Sequence, residues 1–216
     1  MRIKAKEKVG FIFECGRDGP DYKVCHYLLE RLSDMIEMVP RFLDRKVRLL
    51  SECGEVAALL LSVEKCARVV VTWDLEPPWG GEACRHEDKE KAFKSLTEAK
   101  VNRQKVVLLC IEREMECWLM ADKRALEAHL RNEKHPHPLK HKLKDYKKPD
   151  SEIRRPKTEL ISLFQRELGH SRKYVDREHA LRMIRRIPDW SKLRRSDSFR
   201  RFAEKGANIT LDEQRP

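Results

Sequence analysis

The feature that most constrains the fold is a series of short, continuous apolar runs in the N-terminal half of the chain. They are Val9–Glu14 (VGFIFE), Arg68–Trp73 (RVVVTW) and Lys105–Ile111 (KVVLLCI), with a fourth candidate at Val47–Leu50. Runs of Val, Ile and Leu that alternate with helical patterns are typical of parallel strands buried on both faces. The sequence therefore predicts an α/β fold with a mainly parallel, four-stranded sheet flanked by helices.

Predicted helices separate these apolar runs. Asp21 can cap a helix whose apolar residues recur at helical spacing over 24–32. Ser51 can cap a second helix over 51–67, and residues 86–100 form a charged amphipathic pattern. These three segments are expected to cover the sheet.

The strand signal stops after Asp122. The segment 131–155 is rich in Pro and Lys, which indicates a loop or hinge. Three helical patterns complete the chain, at Thr158–Leu168, Val175–Arg186 and Asp189–Lys205. We therefore predict two parts: an α/β domain over residues 1–130, and a basic loop with a helical C-terminal extension over 131–216.

Positive charge is concentrated in that extension. Residues 1–130 contain 23 Lys and Arg and 23 Asp and Glu, so they contribute nothing to the net charge of +11. Residues 131–206 contain 23 Lys and Arg but only 11 Asp and Glu. A basic surface of this size favours a polyanionic partner, although solvated helix faces also carry charge. Nucleic acid fits, because phosphate contacts need positive charge but no particular base sequence. The residues predicted to bind it are Lys142, Lys144, Lys147, Lys148, Arg194 and Arg195.

The cysteines and the hydropathy favour a cytoplasmic protein. Seven cysteines are an odd number, they include no C-x-x-C pair, and several lie within apolar runs. Reduced, buried thiols are therefore expected. No run approaches the length of a membrane span, and the apolar segment at the N-terminus is too short for a signal peptide.

Acidic residues follow three of the predicted strands. They are Glu14 after the first, Asp74 and Glu76 after the third, and Glu112, Glu114 and Glu116 after the fourth. Because the carboxyl ends of parallel strands lie at one edge of a sheet, these acids are expected to converge. Clustered carboxylates repel one another unless a cation is present, and oxygen-only ligands suit Mg²⁺ or Mn²⁺. The sequence therefore predicts a divalent-metal site at this edge.

Several of these acidic residues and their neighbours also have plainer interpretations. The glutamates at 112, 114 and 116 suit a helix N-terminus, where acids complement the macrodipole. Trp118 is interpreted as core packing rather than base stacking, and Asp122 as a helix cap or a solvent-facing residue. Asp18 and Asp21 are interpreted as turn and cap residues, with one of them available to face the metal.

Other catalytic classes lack their motifs. The histidines at 129, 135, 137 and 141 lie near prolines and lysines, which favours a solvated loop over a zinc site. No G-x-S-x-G, H-E-x-x-H or P-loop sequence occurs, which disfavours serine hydrolases, zincins and self-contained nucleotide triphosphatases.

Two of the acidic motifs resemble a known domain. A strand followed by Glu14-x-Gly16, and a later strand followed by Asp74-x-Glu76, resemble the Toprim domains of primases, topoisomerases and overcoming-lysogenisation-defect nucleases. Gly16 lets the backbone approach a ligand closely and adopt a positive φ. The segments IEREMECWLMAD and YVDREHALRMIRRIPDWSKLRRSDSFRRF are similar to a family of small, stand-alone bacterial Toprim-like proteins, a domain of unknown function. Its most distinctive motif is Glu114-x-Glu116-x-Trp118.

This resemblance implies divalent-metal-dependent phosphodiester cleavage of nucleic acid. It implies that Glu14 is an acid/base or a metal ligand and that Asp74 and Glu76 bind the metal. Of the three glutamates after the fourth strand, Glu116 is the first candidate to complete the site, followed by Glu114 and then Glu112. The second acid of the pair is Glu here where Toprim domains have Asp, and no catalytic lysine is identified.

The resemblance also implies a partner. Related stand-alone proteins resemble the effectors of phage-defence systems that act with an ABC-type ATPase. Two alternatives stay open: a non-catalytic subunit that binds nucleic acid or the ATPase, and a nucleotide-binding regulator that uses the same sheet edge.

Overall fold

The computed structural model describes residues 5–75, 85–134 and 138–211. Its sheet has four parallel strands in the order β2-β1-β3-β4, namely β1 (Glu7–Phe13), β2 (Ile36–Phe42), β3 (Arg68–Asp74) and β4 (Val106–Ile111). The intervening helices are α1 (Pro20–Leu32), α2 (Lys46–Ser62) and α3 (Arg85–Glu98). The predicted α/β class with a parallel, four-stranded sheet is confirmed, and the arrangement is consistent with a Rossmann-like fold.

The second strand is not where the sequence placed it. Residues 47–50 and Ser51 lie inside α2, so the strand predicted there, and the helix cap after it, were wrong. The true β2 includes Glu37 and Arg41 among its apolar residues and contains Pro40, which weakens its strand signal. Proline is tolerated because β2 is an edge strand. Within α2, Leu49 is buried while Val47 is 80% exposed, as expected for a helix with one face on the core.

The central strand β1 is covered on both faces. Phe11 packs against Phe202, with ring centroids 6.4 Å apart. Ile12 points to the opposite face, because strand side chains alternate, and it joins the core formed with α2 and α3. Phe202 begins a π-helical turn, Phe202–Gly206, that packs on the sheet. Phe202 therefore packs on the sheet, although it lies within the predicted C-terminal helical extension.

Helices α2 and α3 approach each other closely at a glycine. The N–H of Gly54 donates to Oγ of Ser95 at 2.9 Å, and that hydroxyl donates to the carbonyl of Ser51 at 2.8 Å. A Cβ at position 54 would lie 2.1 Å from the backbone oxygen of Ser95. The absence of a side chain at Gly54 is therefore what permits this packing.

The chain divides into two compact units. The first contains the sheet and comprises the residues up to Ile111 together with those from Arg201 onward, and the second is Glu112–Arg200. The elements of the second unit are α4 (Glu116–Leu119), α5 (Lys123–Lys134), α6 (Pro149–Glu152), α7 (Pro156–Leu168), α8 (Asp176–Ile184), α9 (Trp190–Leu193) and all but the last residue of α10 (Asp197–Arg201). Residues 138–148, within the predicted loop, contain no regular element.

The last predicted helix, over 189–205, is divided into shorter pieces. Ser196 accepts a hydrogen bond from the N–H of Phe199 at 3.1 Å, which begins α10, and donates to Oδ1 of Asp150 at 2.8 Å. A serine that bonds to nearby backbone competes with continuation of a helix. The prediction of one continuous helix was therefore wrong, because a buried tertiary contact fixes a new helix start.

The described cysteines are free thiols. Cys15 is half-buried, and the others are buried, at Cys25, Cys53, Cys66, Cys110 and Cys117. This agrees with the predicted reduced, buried thiols, while Cys84 lies outside the described residues. Within the described ranges, no helix combines the length and the apolar character that a bilayer crossing requires.

Candidate metal centre

Two predicted acids are brought together by the ends of neighbouring strands. Glu14 follows β1 directly, Asp74 is the last residue of β3, and these strands pair in parallel with Phe13 opposite Thr72. Their carboxyl ends therefore share one edge of the sheet. Oε1 of Glu14 accepts a hydrogen bond from the backbone N–H of Asp74 at 3.2 Å.

A third carboxylate joins them from α1. One ligand atom from each of Glu14, Asp21 and Asp74 lies within 4.8 Å of the other two. The helix begins at Pro20 and its N-cap is Gly19, so Asp21 lies in the first turn and is not the cap residue that the sequence suggested. Proline at the first helical position was the signal that could have revealed this register.

The turn between β1 and α1 is tight. The N–H of Gly19 donates to the carbonyl of Gly16 at 2.8 Å. A Cβ at position 19 would lie 2.5 Å from Cβ and Sγ of Cys15, so only glycine fits there. Gly16 does not adopt the positive φ that the sequence suggested, since among the described glycines only Gly169 does so.

The electrostatics of the cluster favour a bound cation. Burial is the main cause that raises the pKa of Glu14 from 4.5 to about 7, and the charge of Asp21 raises it further, against opposing effects of the Asp74 N–H and Lys46. Oε2 of Glu14 is buried and accepts no hydrogen bond from the described part of the chain. Three carboxylates with such an oxygen fit a hard divalent cation such as Mg²⁺ or Mn²⁺.

A lysine that the sequence did not reveal lies beside the cluster. Lys46 is the first residue of α2, and its charge lowers the pKa of Glu14. Its Nζ is 2.8 Å from Oδ2 of Asp88 and donates to the carbonyl of Leu75 at 3.2 Å. Asp88 also accepts from Nε1 of Trp73 at 3.1 Å, so the lysine is held in place by a buried network. No local motif marks Lys46, because only the crossover of α2 brings it to this edge.

The other predicted metal ligands have different surroundings. Glu76 lies outside the described residues. Glu114 and Glu116 belong to the second unit, where Oε2 of Glu114 accepts the N–H of Lys157 at 2.9 Å and Oε1 of Glu116 accepts the hydroxyl of Tyr174 at 3.2 Å. Their convergence with Glu14 stays a prediction.

Two neighbours of this acidic motif are structural, as predicted. Trp118 is fully buried, and its Nε1 donates to Oγ of Ser198 at 2.8 Å. Asp122 caps α5, because its Oδ1 accepts the backbone N–H groups of Arg124 at 2.9 Å and Ala125 at 3.2 Å.

The predicted nucleic-acid ligands lie in the second unit, which holds 24 Lys and Arg against 15 Asp and Glu, a net charge of +9. The exposed ones are Lys142, Lys144, Lys147 and Lys148, and Arg194 is half-buried. Arg195 is only 20% exposed and donates to Oδ1 of Asp145 at 2.7 Å and to the carbonyl of Tyr146 at 2.9 Å. The lysines are therefore better placed than Arg195 to meet a phosphate backbone.

Comparison with known families gives one match. The model of the family described as Domain of unknown function (DUF4276) matches residues 25–205. The chain belongs to this family. The match begins after Glu14 and Asp21 and includes Asp74, and its description assigns no activity. No curated protein and no solved structure matches the chain. The predicted membership of a domain of unknown function is therefore confirmed.

Proposed function

We propose that this DUF4276 protein is a Toprim-like, divalent-metal-dependent enzyme that cleaves phosphodiester bonds in nucleic acid. The observation that carries the proposal is the cluster of Glu14, Asp21 and Asp74 at the carboxyl edge of a parallel sheet. Functional groups collect at this edge in open α/β sheets. The sequence pattern that resembles Toprim domains supplies two of the three residues.

Each residue of the cluster has a distinct part in this proposal. Asp21 and Asp74 hold the cation, Glu14 is either the acid/base or a further ligand, and Glu76 and Glu116, with Glu114, are proposed to complete the site. A bound Mg²⁺ or Mn²⁺ polarises phosphoryl oxygens and lowers the pKa of water. Glu14, with its pKa raised to about 7, can exchange a proton near neutral pH. Lys46 is a positioning residue that offsets part of the negative charge.

The basic second unit is proposed to grip the nucleic-acid backbone. Its net charge of +9 supports contact with phosphate irrespective of base sequence. An ABC-type ATPase partner and a role in phage defence rest on the family resemblance alone, and belong to the same proposal.

The test is a nuclease assay with Mg²⁺ or Mn²⁺ on plasmid, single-stranded DNA and RNA. We expect Asp74→Ala to lower the cleavage rate roughly a hundredfold or more, because a charge that holds the cation is lost. Asp34→Ala is the matched control, since Asp34 is an exposed acid outside the cluster. It should leave the rate unchanged.

A second candidate function is non-catalytic binding of nucleic acid. The charge of the second unit favours it, because binding requires that charge but no metal. Equal cleavage by the wild type and Asp74→Ala would overturn the catalytic proposal. Salt-dependent binding without cleavage in either protein would also overturn it, and would establish the binding subunit instead.

A further inference from the structure

The second unit contains a cluster of side chains with a different chemistry from that of the carboxylate cluster. His129 and Glu133 lie four residues apart on α5, and therefore on one face of that helix, and His179 lies on α8. One ligand atom from each of the three lies within 4.8 Å of the other two. Two imidazoles and a carboxylate are a donor set that transition metals prefer.

His129 is the residue that requires an explanation. It is 1% exposed, and neither of its ring nitrogens has a hydrogen-bond partner among the described residues. Its ring packs against Phe164 and edge-on to His179, with centroids 5.9 and 5.7 Å away. A buried polar group without a partner is destabilising. The sequence interpretation, a solvated histidine, was wrong for His129, because α5 extends through this position and turns the ring inward.

His179 is oriented in the way that metal-binding histidines usually are. Its Nδ1 lies 2.8 Å from the carbonyl oxygen and 3.0 Å from the amide nitrogen of Val175. When Nδ1 donates its N–H to this carbonyl, Nε2 keeps its lone pair and can bind a metal. In known metal sites, a ligating histidine donates its other N–H to a carbonyl or carboxylate, which fixes the ring and its tautomer.

The charges around the cluster act in opposite directions. Burial chiefly lowers the pKa of His129 to about 3, with help from His179, Arg186 and Arg182, so its ring is neutral and keeps a lone pair. Arg182 also lies 3.1 Å from Oε1 of Glu133, where it competes with any cation for that carboxylate. A carboxylate has two oxygens, so Glu133 can contact Arg182 with one and offer the other to a metal.

We propose that His129, Glu133 and His179 form a transition-metal site of the zinc class that joins α5 to α8. Three protein ligands leave a further coordination position for water, as in open zinc sites. The ligand is a divalent metal that prefers nitrogen donors, unlike the hard cation of the carboxylate cluster. This site does not depend on the proposed nuclease function.

The experiment titrates Co²⁺ and then Zn²⁺ into the untagged, full-length protein after removal of metals with a chelator. We expect about one equivalent of Co²⁺ to give visible d–d bands, and Zn²⁺ to displace it. Glu133→Gln and His179→Gln should each weaken binding at least tenfold, with circular dichroism showing that both proteins are folded. His170→Gln replaces an exposed histidine and is the matched control.

Arg182→Gln distinguishes a metal site from a purely structural cluster. Because the guanidinium competes for Glu133, its removal should tighten Co²⁺ binding by up to about fivefold. If Glu133 serves only to hold Arg182, the same change gives no metal binding at all.

Three results would overturn the proposal. The first is no Co²⁺ or Zn²⁺ binding by the wild type. The second is binding that persists in both Glu133→Gln and His179→Gln. The third is loss of metal binding in a variant changed elsewhere, either the double variant Glu14→Gln with Asp74→Asn or the double variant His135→Gln with His137→Gln. A strong sulfur-to-cobalt charge-transfer band would likewise assign the metal to cysteine and contradict the proposal.

Discussion

Glu14 is the residue whose ionisation most affects the candidate metal centre. In the folded protein its pKa is about 7, mainly because burial disfavours the charged form, against 4.5 in the unfolded chain. Between these values the folded state binds the proton that the unfolded state releases, so this residue makes the protein less stable as the pH rises from 4.5 to 7. Glu14 is thus a destabilising residue at neutral pH unless a cation is bound.

Replacement of Glu14 by Gln should remove this pH dependence. We expect Glu14→Gln to gain stability relative to the wild type between pH 5 and pH 8, by roughly 3 kcal/mol at most. Urea unfolding of both proteins without divalent metal at several pH values measures the difference. Glu55→Gln, at an exposed position on α2, is the control. A constant difference between wild type and Glu14→Gln across this range would contradict the prediction.

Mg²⁺ should reverse the destabilisation. At pH 8, a hundredfold excess over the dissociation constant adds about 2.7 kcal/mol to the free energy of unfolding, which corresponds to roughly 5–10 °C in melting temperature. We expect this shift for the wild type and its loss in Asp74→Asn, both compared at matched ionic strength with KCl. An equal shift in Asp74→Asn would place the cation elsewhere.

At the scale of elements, the positions of the helices depend on a few close contacts. Helix α1 begins at Pro20, which places Asp21 in the first turn, and the tight turn at Gly19 holds that start next to the end of β1. Helix α2 begins with Lys46, which reaches the same edge. Each helix thus delivers one charged group to the carboxylate cluster through its first turn.

Gly54 provides a test of the packing between α2 and α3. We expect Gly54→Ala to lower the free energy of unfolding by about 1–3 kcal/mol, because the new Cβ would overlap the backbone of Ser95. Chemical denaturation measures the change, and Glu55→Ala, on the exposed face of the same helix, should change it by less than about 0.5 kcal/mol. A neutral or stabilising Gly54→Ala would mean that the helices can separate without loss.

At the scale of the whole molecule, the chain assigns its charges unequally to its two units. The second unit has a net charge of +9, whereas the first, with 23 Lys and Arg against 21 Asp and Glu, has +2. The first unit holds the carboxylate cluster, where additional positive charge would compete with a cation. We therefore expect the hard cation to bind in the first unit and nucleic acid to contact mainly the second.

The exposed lysines of the second unit should control affinity for nucleic acid. Replacing four of them with Gln should weaken binding and reduce the slope of log affinity against log salt by up to about four, because up to four phosphate contacts are lost. The four changed positions are Lys142, Lys144, Lys147 and Lys148. Fluorescence anisotropy at several salt concentrations measures both quantities.

The control for this prediction changes the same number of charges in the first unit. Four of its exposed lysines are changed to Gln, namely Lys8, Lys91, Lys94 and Lys105. If both quadruple variants weaken binding equally, then net charge alone is responsible and the second unit is not the binding surface.

The sequence alone identified three of the four strands and two of the three residues of the carboxylate cluster. Continuous apolar runs identify the two central strands and β4, because burial on both faces requires apolar residues throughout. The acids at the ends of those strands, Glu14 and Asp74, can therefore be identified from the sequence alone. The edge strand β2 could not be identified in this way, because it is mostly half-buried and its sequence includes Glu37, Pro40 and Arg41.

Only the tertiary structure decided which residues complete each site. Lys46 and the buried ring of His129 carry no local signal, and Pro20 indicates only the helix register of Asp21, because the packing of helices against other elements decides what each side chain meets. The sequence specifies such contacts through many small packing energies spread over distant residues. Burial of a strand is visible in a few consecutive residues. The convergence of side chains from a loop, two helices and the end of a strand depends on residues that are far apart in the sequence.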